Sequence, residues 1–237
     1  MEDASELLDH VEDHTNLDVI AITDHDDIRG AWRAREVWAN RRYRFEIVIG
    51  IEITSIQGHI LALFVDEPVT SLIPLDDALK RVHAQGGVCV IPHPMSWLTR
   101  SLDRKSILEI TARRSDAIYF DAIETATASS AGKIWIDKAI RLNREDLHLA
   151  EVGGSDSHFP AATGCAYTQF DGRTGDDLRS SILKRTTRSM CDGYPSLAQI
   201  GVGPIVSQTW RGLSTTPRSM GLGRTARSFI QGIFGSK

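Results

Sequence analysis

The sequence predicts one α/β domain built from parallel βα units, on the strength of three observations. The chain has 237 residues, which is enough for a single α/β domain with a full core. Short apolar runs rich in β-branched residues alternate with stretches of helical pattern. Most of these runs are continuous rather than alternating, as expected for strands that are buried on both faces. This succession is typical of a barrel or of a doubly wound sheet.

The first predicted element is a helix, Ala4–Val11, with Leu7, Leu8 and Val11 as its apolar stripe and Ser5 as a candidate cap. The predicted strands that follow are Leu17–Thr23, Glu46–Ile53, His59–Val65, Val88–Pro92, Ala117–Glu124, His148–Gly153 and Gly164–Thr168. The predicted helices between them are Asp27–Arg42, Pro74–Gln85, Arg104–Arg114, Ser130–Asn143 and Thr174–Lys184. A parallel α/β domain normally opens with a strand, so the first βα unit lacks its strand half here.

The composition is that of a soluble globular protein, with 41% hydrophobic and 24% charged residues. The net charge of -4 gives no signature of a stable nucleic-acid complex. Three well-separated cysteines, the absence of a transmembrane-length apolar run and the absence of a secretion signal predict a cytoplasmic protein. We expect the domain to span residues 1–190. Residues 191–237, rich in Gly, Ser, Thr, Pro and Arg, are predicted to form a partly ordered tail.

Polar side chains that could carry chemistry occur where the apolar strand runs begin or end. They are Asp24, His25, Glu52, His59, His93, Glu124, Asp156 and His158. In parallel α/β domains the loops at the carboxyl ends of strands converge on one face, where catalytic groups gather. Histidine and carboxylate ligands without cysteine suit Zn, Mn or Fe, and a carboxylate can bridge two ions. The sequence therefore predicts a divalent-metal site.

Each of these residues also has an ordinary structural interpretation. Asp24 could cap the helix that follows it, and His93 could be a turn residue before Pro94. His59 could be an exposed strand residue, and Glu124 could pair with an arginine. Their joint occurrence at successive strand ends favours the metal site.

Six short motifs in order make the pattern more specific: TDHDD at 23–27, GIEIT at 50–54, GHI at 58–60, IPHP at 91–94, IET at 123–125 and GSDSH at 154–158. Together they resemble the PHP (polymerase and histidinol phosphatase) family over residues 17–168. The resemblance implies a distorted (β/α)7 barrel that binds two or three divalent ions and hydrolyses phosphoesters with a metal-bound hydroxide.

The resemblance also implies the roles of individual residues. The metal ligands would be His25, Glu52, His59, His93, Asp156 and His158. Glu52 would be the bridging carboxylate, and Glu52, Asp156 and Asp24 are the candidate catalytic residues. Asp24 would orient its neighbours from outside the metal shell. Glu124 is a second candidate for this role outside the metal shell.

The sequence departs from the family pattern at its N-terminus. Family members open with a strand that bears His-x-His, followed by a Ser-Asp-Gly turn and a helix like Ala4–Val11. Here the helix is present, whereas the two histidines and the turn aspartate are absent. We hypothesise that Met1 is an internal methionine and that the upstream reading frame encodes the absent strand.

The expected substrate is a small phosphomonoester or a nucleotide. Related nucleoside bisphosphate phosphatases and short-RNA exonucleases carry a large insertion between the GHI and HP motifs, but here only 33 residues, 60–92, separate His59 from His93. Arg100 is a candidate contact for the substrate phosphate. Two other functions stay open: an amidohydrolase-like metal hydrolase, and a non-catalytic metal-binding or interaction domain. The sequence does not indicate an oligomeric state.

Overall fold

A computed structural model describes residues 4–96, 99–128, 135–157 and 160–193. Its strands are β1 (Val19–Ile22), β2 (Glu46–Thr54), β3 (His59–Leu63), β4 (Val88–Ile91), β5 (Ala122–Thr127), β6 (Ala150–Gly154), β7 (Ala166–Gln169) and β8 (Arg188–Cys191). Its α-helices are α1 (Ala4–His14), α2 (Arg29–Ala39), α3 (Leu75–Ala84), α4 (Arg104–Ala112), α5 (Ile136–Leu142) and α6 (Gly175–Lys184). The architecture is a curled α/β half-barrel, which confirms the predicted fold class of a distorted, incomplete barrel.

The half-barrel is a six-stranded sheet in the order β1-β2-β3-β4-β5-β6. The pairs β1–β2, β4–β5 and β5–β6 are parallel, as the sequence predicted. The strand β3 is antiparallel to both neighbours, which corrects the expectation of parallel units throughout. The physical reason is the four-residue connection, 55–58, because a link this short can join only antiparallel strands.

The two faces of the sheet bury different apolar layers. On the convex face, the side chains of Ile51, Ile53 and Ile91 pack against α3 and α4, in a core that includes Leu79 and Ile107. On the concave face, apolar residues of β2 to β6 form one cluster with Leu178 and Ile182 of α6; the strand residues are Val48, Leu63, Val88, Val90, Ala122, Ala150 and Val152. Side chains alternate along a strand, so one side of each strand supplies each layer.

The remaining two strands form a separate antiparallel pair, β7–β8, which packs next to β6. The approach is close at Gly153, where an added Cβ would lie 2.3 Å from the Tyr167 carbonyl oxygen. The Thr168 hydroxyl accepts the N–H of Gly153 at 3.0 Å and so ties β7 to β6. A larger residue at 153 would force these strands apart.

The strand β8 was not predicted from the sequence. Its residues, Arg188–Cys191, are polar or partly exposed and form no apolar run. The strand exists because its backbone pairs with β7, and because the Thr125 hydroxyl on β5 donates to the Ser189 hydroxyl at 2.8 Å. Apart from residues 191–193, the predicted tail lies outside the described residues and stays a prediction. Within the described ranges, no helix is both long and apolar enough to cross a bilayer.

A buried polar network lies at the opposite end of β4 and β5 from the motif residues. His83 on α3 has its Nδ1 3.1 Å from the Ala117 carbonyl oxygen and its Nε2 3.1 Å from Asp121 Oδ2. The same Oδ2 accepts the N–H of Cys89 at 2.8 Å, while the N–H of Asp121 donates to the Cys89 carbonyl at 2.9 Å. The His83 ring stacks on Tyr119 with 4.0 Å between centroids. The network holds α3 against the sheet.

Candidate metal centre

The strand alternation that builds the concave layer also aims the motif side chains. Glu52 follows Val48 at even spacing on β2, and Glu124 follows Ala122 on β5, so both carboxylates lie on the concave face above the apolar layer. His59 begins β3 but pairs with Thr54 at the end of β2, because β3 is antiparallel. His59, although it is the first residue of β3, therefore lies at the same edge of the sheet as the carboxyl end of β2.

Three imidazoles converge on the buried carboxylate of Glu52. Its Oε1 lies 2.8 Å from His59 Nδ1 and 3.1 Å from His93 Nε2, and its Oε2 lies 3.3 Å from His25 Nε2. Glu52, His59 and His93 are buried, whereas the His25 side chain is 53% exposed. The His59 ring centroid lies 5.0 Å from that of His25 and 5.7 Å from that of His93. The residues form one compact cluster at the mouth of the half-barrel.

The hydrogen bonds around His93 favour one tautomer. The Ser101 hydroxyl donates to the His93 carbonyl at 2.6 Å. The same oxygen lies 2.7 Å from His93 Nδ1, where it is placed to accept an Nδ1–H. In neutral His93 this leaves Nε2 with its lone pair directed at a carboxylate oxygen. That arrangement is stable when a cation lies between the two atoms, and it is the usual orientation of a metal-binding histidine.

His59 has a related geometry. Its Nδ1 is buried and lies 2.8 Å from Glu52 Oε1, yet it is not aligned for a hydrogen bond with that or any other described group. Ring nitrogen and carboxylate oxygen are ligand atoms for Zn, Mn and Fe, and those of His25, Glu52 and His59 all lie within 4.8 Å of one another. The donor set therefore fits a divalent ion.

The cluster keeps Glu52 ionised. Burial acts to raise the pKa of Glu52, but the contacts from His59 and His93 and the proximity of His25 outweigh it, so the pKa lies well below its usual range. The opposite balance holds at His93, where burial lowers the pKa but the hydrogen bond and charge of Glu52 raise it overall. A charged carboxylate among imidazoles attracts either protons or a metal cation to the same point.

A second buried carboxylate, Glu124, supports the His93 segment. Its Oε2 accepts the backbone N–H of His93, and burial, together with the charge of Asp156, raises the pKa of Glu124 to about 7 against the opposing contacts of His93. Gly154 leaves room for this carboxyl group, since a Cβ there would lie 3.1 Å from Glu124 Oε1. Glu124 thus joins the end of β5 to the turn after β4.

Three residues of the site adopt backbone conformations that L-residues rarely use. Asp26, His93 and Asp156 have φ values of 55°, 28° and 45°. Non-glycine residues at positive φ are uncommon and cluster at functional sites, where the surrounding structure holds them. All three lie in the turns that follow strands of the half-barrel, so the strain falls where the ligand candidates are presented.

The structure brings together most of the predicted site residues. His25, Glu52, His59 and His93 are in mutual contact, and Asp156 and Asp24 line the same cavity. Asp24 is an exposed residue, but its carboxyl group lies against Gly30 and is desolvated there, which raises its pKa. His158 lies outside the described residues. The metal and catalytic roles of these residues stay predictions.

Arg100 contributes mainly through its backbone. Its carbonyl accepts the N–H of His59 at 2.8 Å, which anchors the start of β3. Its guanidinium Nη2 lies 3.3 Å from the Ile56 carbonyl, and Arg100 is not among the described residues that line the cavity. The predicted phosphate contact therefore stays a prediction.

The residues that orient the candidate ligands were not predicted from the sequence. The hydroxyls of Ser101 and Thr99 lie 2.7 Å and 3.2 Å from His93 Nδ1. No pattern in the sequence indicates these two residues, because their contacts with His93 depend on how the loop after His93 folds back. Asp26 belongs to the TDHDD motif, but no role was predicted for it. In the structure its carboxylate accepts hydrogen bonds from Thr54 and Ser71.

Comparison with known proteins agrees with this geometry. The PHP-associated family model matches residues 134–187. The chain is 33% identical over 86 residues to Uncharacterized protein MJ1587 of Methanocaldococcus jannaschii, covering 36% of the chain and 49% of that protein. It is 30% identical over 128 residues to Uncharacterized protein MJ0417 of the same organism, covering 51% of the chain and 50% of that protein. The chain thus spans about half the length of these relatives.

Two solved structures share the fold. A two-domain protein from Bacteroides vulgatus, described as containing a predicted PHP-like metal-dependent phosphoesterase, superposes with a TM-score of 0.61 at 20% identity, over 81% of this chain and 60% of that one. PsfC from Pseudomonas syringae superposes with a TM-score of 0.56 at 18% identity, over 89% of each chain.

The fold and the cluster first define a class, an incomplete α/β barrel with histidines and carboxylates at its mouth. A PHP-associated family model over residues 134–187 and the fold shared with a PHP-like protein then support the resemblance of the chain to the PHP family.

Proposed function

We propose that this chain hydrolyses phosphoesters at a divalent-metal centre built around Glu52. The observation that supports it best is the convergence of His25, His59 and His93 on one buried carboxylate at a cavity mouth. The fold neighbour from Bacteroides vulgatus, with its predicted PHP-like phosphoesterase, supports the reaction class.

The residues of this chain would divide the work as follows. His25, Glu52, His59, His93 and Asp156 would hold the divalent ions, with the charged carboxylate of Glu52 at the centre of the set. The Ser101 hydroxyl keeps His93 in the Nδ1–H tautomer that leaves Nε2 available. Divalent Zn, Mn or Fe, when bound, supplies Lewis acidity to the phosphoryl oxygens and lowers the pKa of a bound water to about 7.

The cavity suggests how the substrate is bound. It has a volume of about 400 Å³, and the motif residues at its mouth would hold the phosphate; the apolar side chains below them, such as Leu61, Val90 and Val152, line the part that a further strand would fill. None of its described lining residues is lysine or arginine. The charge of a substrate phosphate would therefore be neutralised at the metal centre, so we propose a small phosphomonoester or nucleotide whose binding depends on metal occupancy.

Activity measurements on chelator-treated protein test this proposal. We expect no phosphatase activity without metal, and recovery on addition of Mn²⁺, Zn²⁺ or Fe²⁺, for p-nitrophenyl phosphate, nucleoside monophosphates or bis-p-nitrophenyl phosphate. An amide panel under the same conditions separates the amidohydrolase alternative, which predicts amide cleavage instead. Stoichiometric metal binding without hydrolysis of any ester would reject the enzymatic function in favour of a metal-binding domain.

We also propose that a further strand carrying His-x-His completes the barrel beside β1. In the described chain, β1 pairs only with β2, which leaves the backbone groups of its other edge available. The cavity next to this edge is lined by Val19, Ala21, Leu63 and Val152, an apolar surface that a strand would bury.

Expression from the upstream reading frame tests the strand. We expect the extended protein to bind at least one more Mn²⁺ per chain than residues 1–237, because two added imidazoles complete a site, and to unfold at higher urea concentration. Elemental analysis after dialysis and urea denaturation measure these two effects. An extended protein in which the two added histidines are alanine is the matched control: it should keep the stability and lose the extra metal. Equal metal content in all three proteins would contradict the proposal.

A further inference from the structure

The second aspartate of the TDHDD motif, Asp26, makes contacts on two sides of the site. Its N–H donates to the carbonyl of Glu52 at 2.8 Å, in a parallel bridge that sets His25 opposite Glu52. Its carboxylate accepts the N–H of Thr54 at 2.7 Å and the Thr54 hydroxyl at 2.8 Å, as well as the hydroxyl of Ser71. Asp26 therefore fastens the segment after β1 to the end of β2.

His25 depends on such an anchor more than the other imidazoles do. Its side chain is 53% exposed, whereas those of His59 and His93 are 11% and 6% exposed and are packed between strands. His25 also follows the end of β1, where regular sheet pairing has stopped. The bridge is continued by the N–H of Glu52, which donates to the carbonyl of Asp24 at 3.1 Å. These bonds fix the backbone of His25 opposite that of Glu52, and the Asp26 carboxylate holds the same segment to Thr54 and Ser71.

The conformation of Asp26 explains the residue type. Its φ of 55° lies in the left-handed region, which Asp, Asn and Gly tolerate best. Of these three, only aspartate offers two ionised oxygens, and all three donors here point at them. Charge-assisted bonds of this kind are about twice as strong as neutral ones.

We propose that Asp26 is a positioning residue for the metal centre: it fixes His25 against Glu52 and thereby sets the affinity for metal. This inference rests on the proposed metal centre. Asp26 is not expected to touch the metal or the substrate. Its effect passes through His25.

Mn²⁺ titration by calorimetry, with the metal-free protein and no substrate, tests the proposal. Asp26→Asn keeps the left-handed conformation but turns one acceptor into a donor facing donors, so we expect Mn²⁺ to bind about 10–100-fold more weakly, the usual cost of losing an outer partner of a metal ligand. Thr54→Val, which removes one of the same bonds from the other side, should weaken binding in the same direction by less. Asp66→Asn, an 87% exposed aspartate far from the cluster, is the matched control for charge and should bind as the wild type does.

A double-mutant cycle separates positioning from general destabilisation. If Asp26 acts through His25, then Asp26→Asn should weaken Mn²⁺ binding much less in a His25→Ala background than in the wild type. Equal weakening in both backgrounds would overturn the proposal, as would wild-type affinity in Asp26→Asn. Circular dichroism confirms folding; if Asp26→Asn does not fold, Thr54→Val carries the same cycle. A wild-type protein that binds no Mn²⁺ would overturn the metal centre and this inference with it, whereas normal binding by wild type and variant alike overturns only the role of Asp26.

Discussion

Glu52→Gln is expected to abolish stoichiometric metal binding and, with it, phosphoesterase activity. The amide is nearly isosteric but neutral, and it replaces one oxygen with a donor NH₂. In the wild type, three imidazole nitrogens lie 2.8–3.3 Å from the two oxygens of this one carboxylate. The change therefore removes the negative charge and one acceptor at the point where the ligands meet. We expect the affinity for Mn²⁺ to fall by more than the roughly 10–100-fold that loss of an outer partner costs.

Metal content after dialysis and hydrolysis of p-nitrophenyl phosphate measure the effect. Glu109→Gln, an exposed glutamate on α4, makes the same chemical change away from the cluster and should leave both readouts unchanged. Circular dichroism of the metal-free proteins separates loss of the site from loss of the fold. Wild-type metal content in Glu52→Gln would show that Glu52 is not a ligand, and the proposed centre would have to be abandoned.

Asp121→Ala is expected to lower the free energy of unfolding by about 3–5 kcal/mol, because it leaves a buried polar group without its partner. The Asp121 carboxylate faces the Nε2 of His83 at 3.1 Å and the N–H of Cys89 at 2.8 Å, and the side chains of Asp121 and His83 are only 5% and 7% exposed. Alanine can accept neither bond, and water does not reach the site freely. Asp121→Asn keeps one carbonyl acceptor and should cost less than alanine.

Urea denaturation of the metal-free protein measures this loss. Asp116→Ala changes an exposed aspartate in the loop before β5 and should alter the stability by less than about 0.5 kcal/mol. Affinity for Mn²⁺ should change little in Asp121→Ala at temperatures where it is folded, because the network lies at the opposite end of β4 and β5 from Glu52. A loss below about 1 kcal/mol would mean that the His83 network is solvated or replaceable.

Much of the fold could be predicted because most strands and helices have a hydrophobic pattern within their own segment of the sequence. Within the part of the chain that the structure describes, the continuous apolar runs identified β1 to β7, and the helical periodicity identified the six α-helices, with ends within a few residues wherever both are described. The misses have a common cause. The antiparallel direction of β3 depends on the length of one turn, and β8 depends on pairing with β7, and neither leaves a hydrophobic pattern in its own segment.

The candidate site divides in the same way. Residue type and position after strand ends were sufficient to nominate His25, Glu52 and His93, because ligand-binding groups gather at the carboxyl ends of parallel strands. The partners that orient them were not predictable. Ser101 reaches His93 across a loop, and Asp26 reaches Thr54 and Ser71 over distances of 28 and 45 residues. Hydrogen bonds between residues so far apart depend on backbone paths that no local pattern specifies.

By itself, the sequence determined the kind of protein: an α/β chain with candidate metal ligands at its strand ends and an order of motifs that resembles that of the PHP family. Only the tertiary structure decided that His25, His59 and His93 all face the one carboxylate of Glu52, that His93 has its Nε2 available, and that β1 has an edge where a strand can pair. The physical reason is that the ability of a side chain to bind a metal depends on its residue type, which can be read at a single position of the sequence. Distance, tautomer and the pairing of an edge arise only when segments distant in the chain pack together.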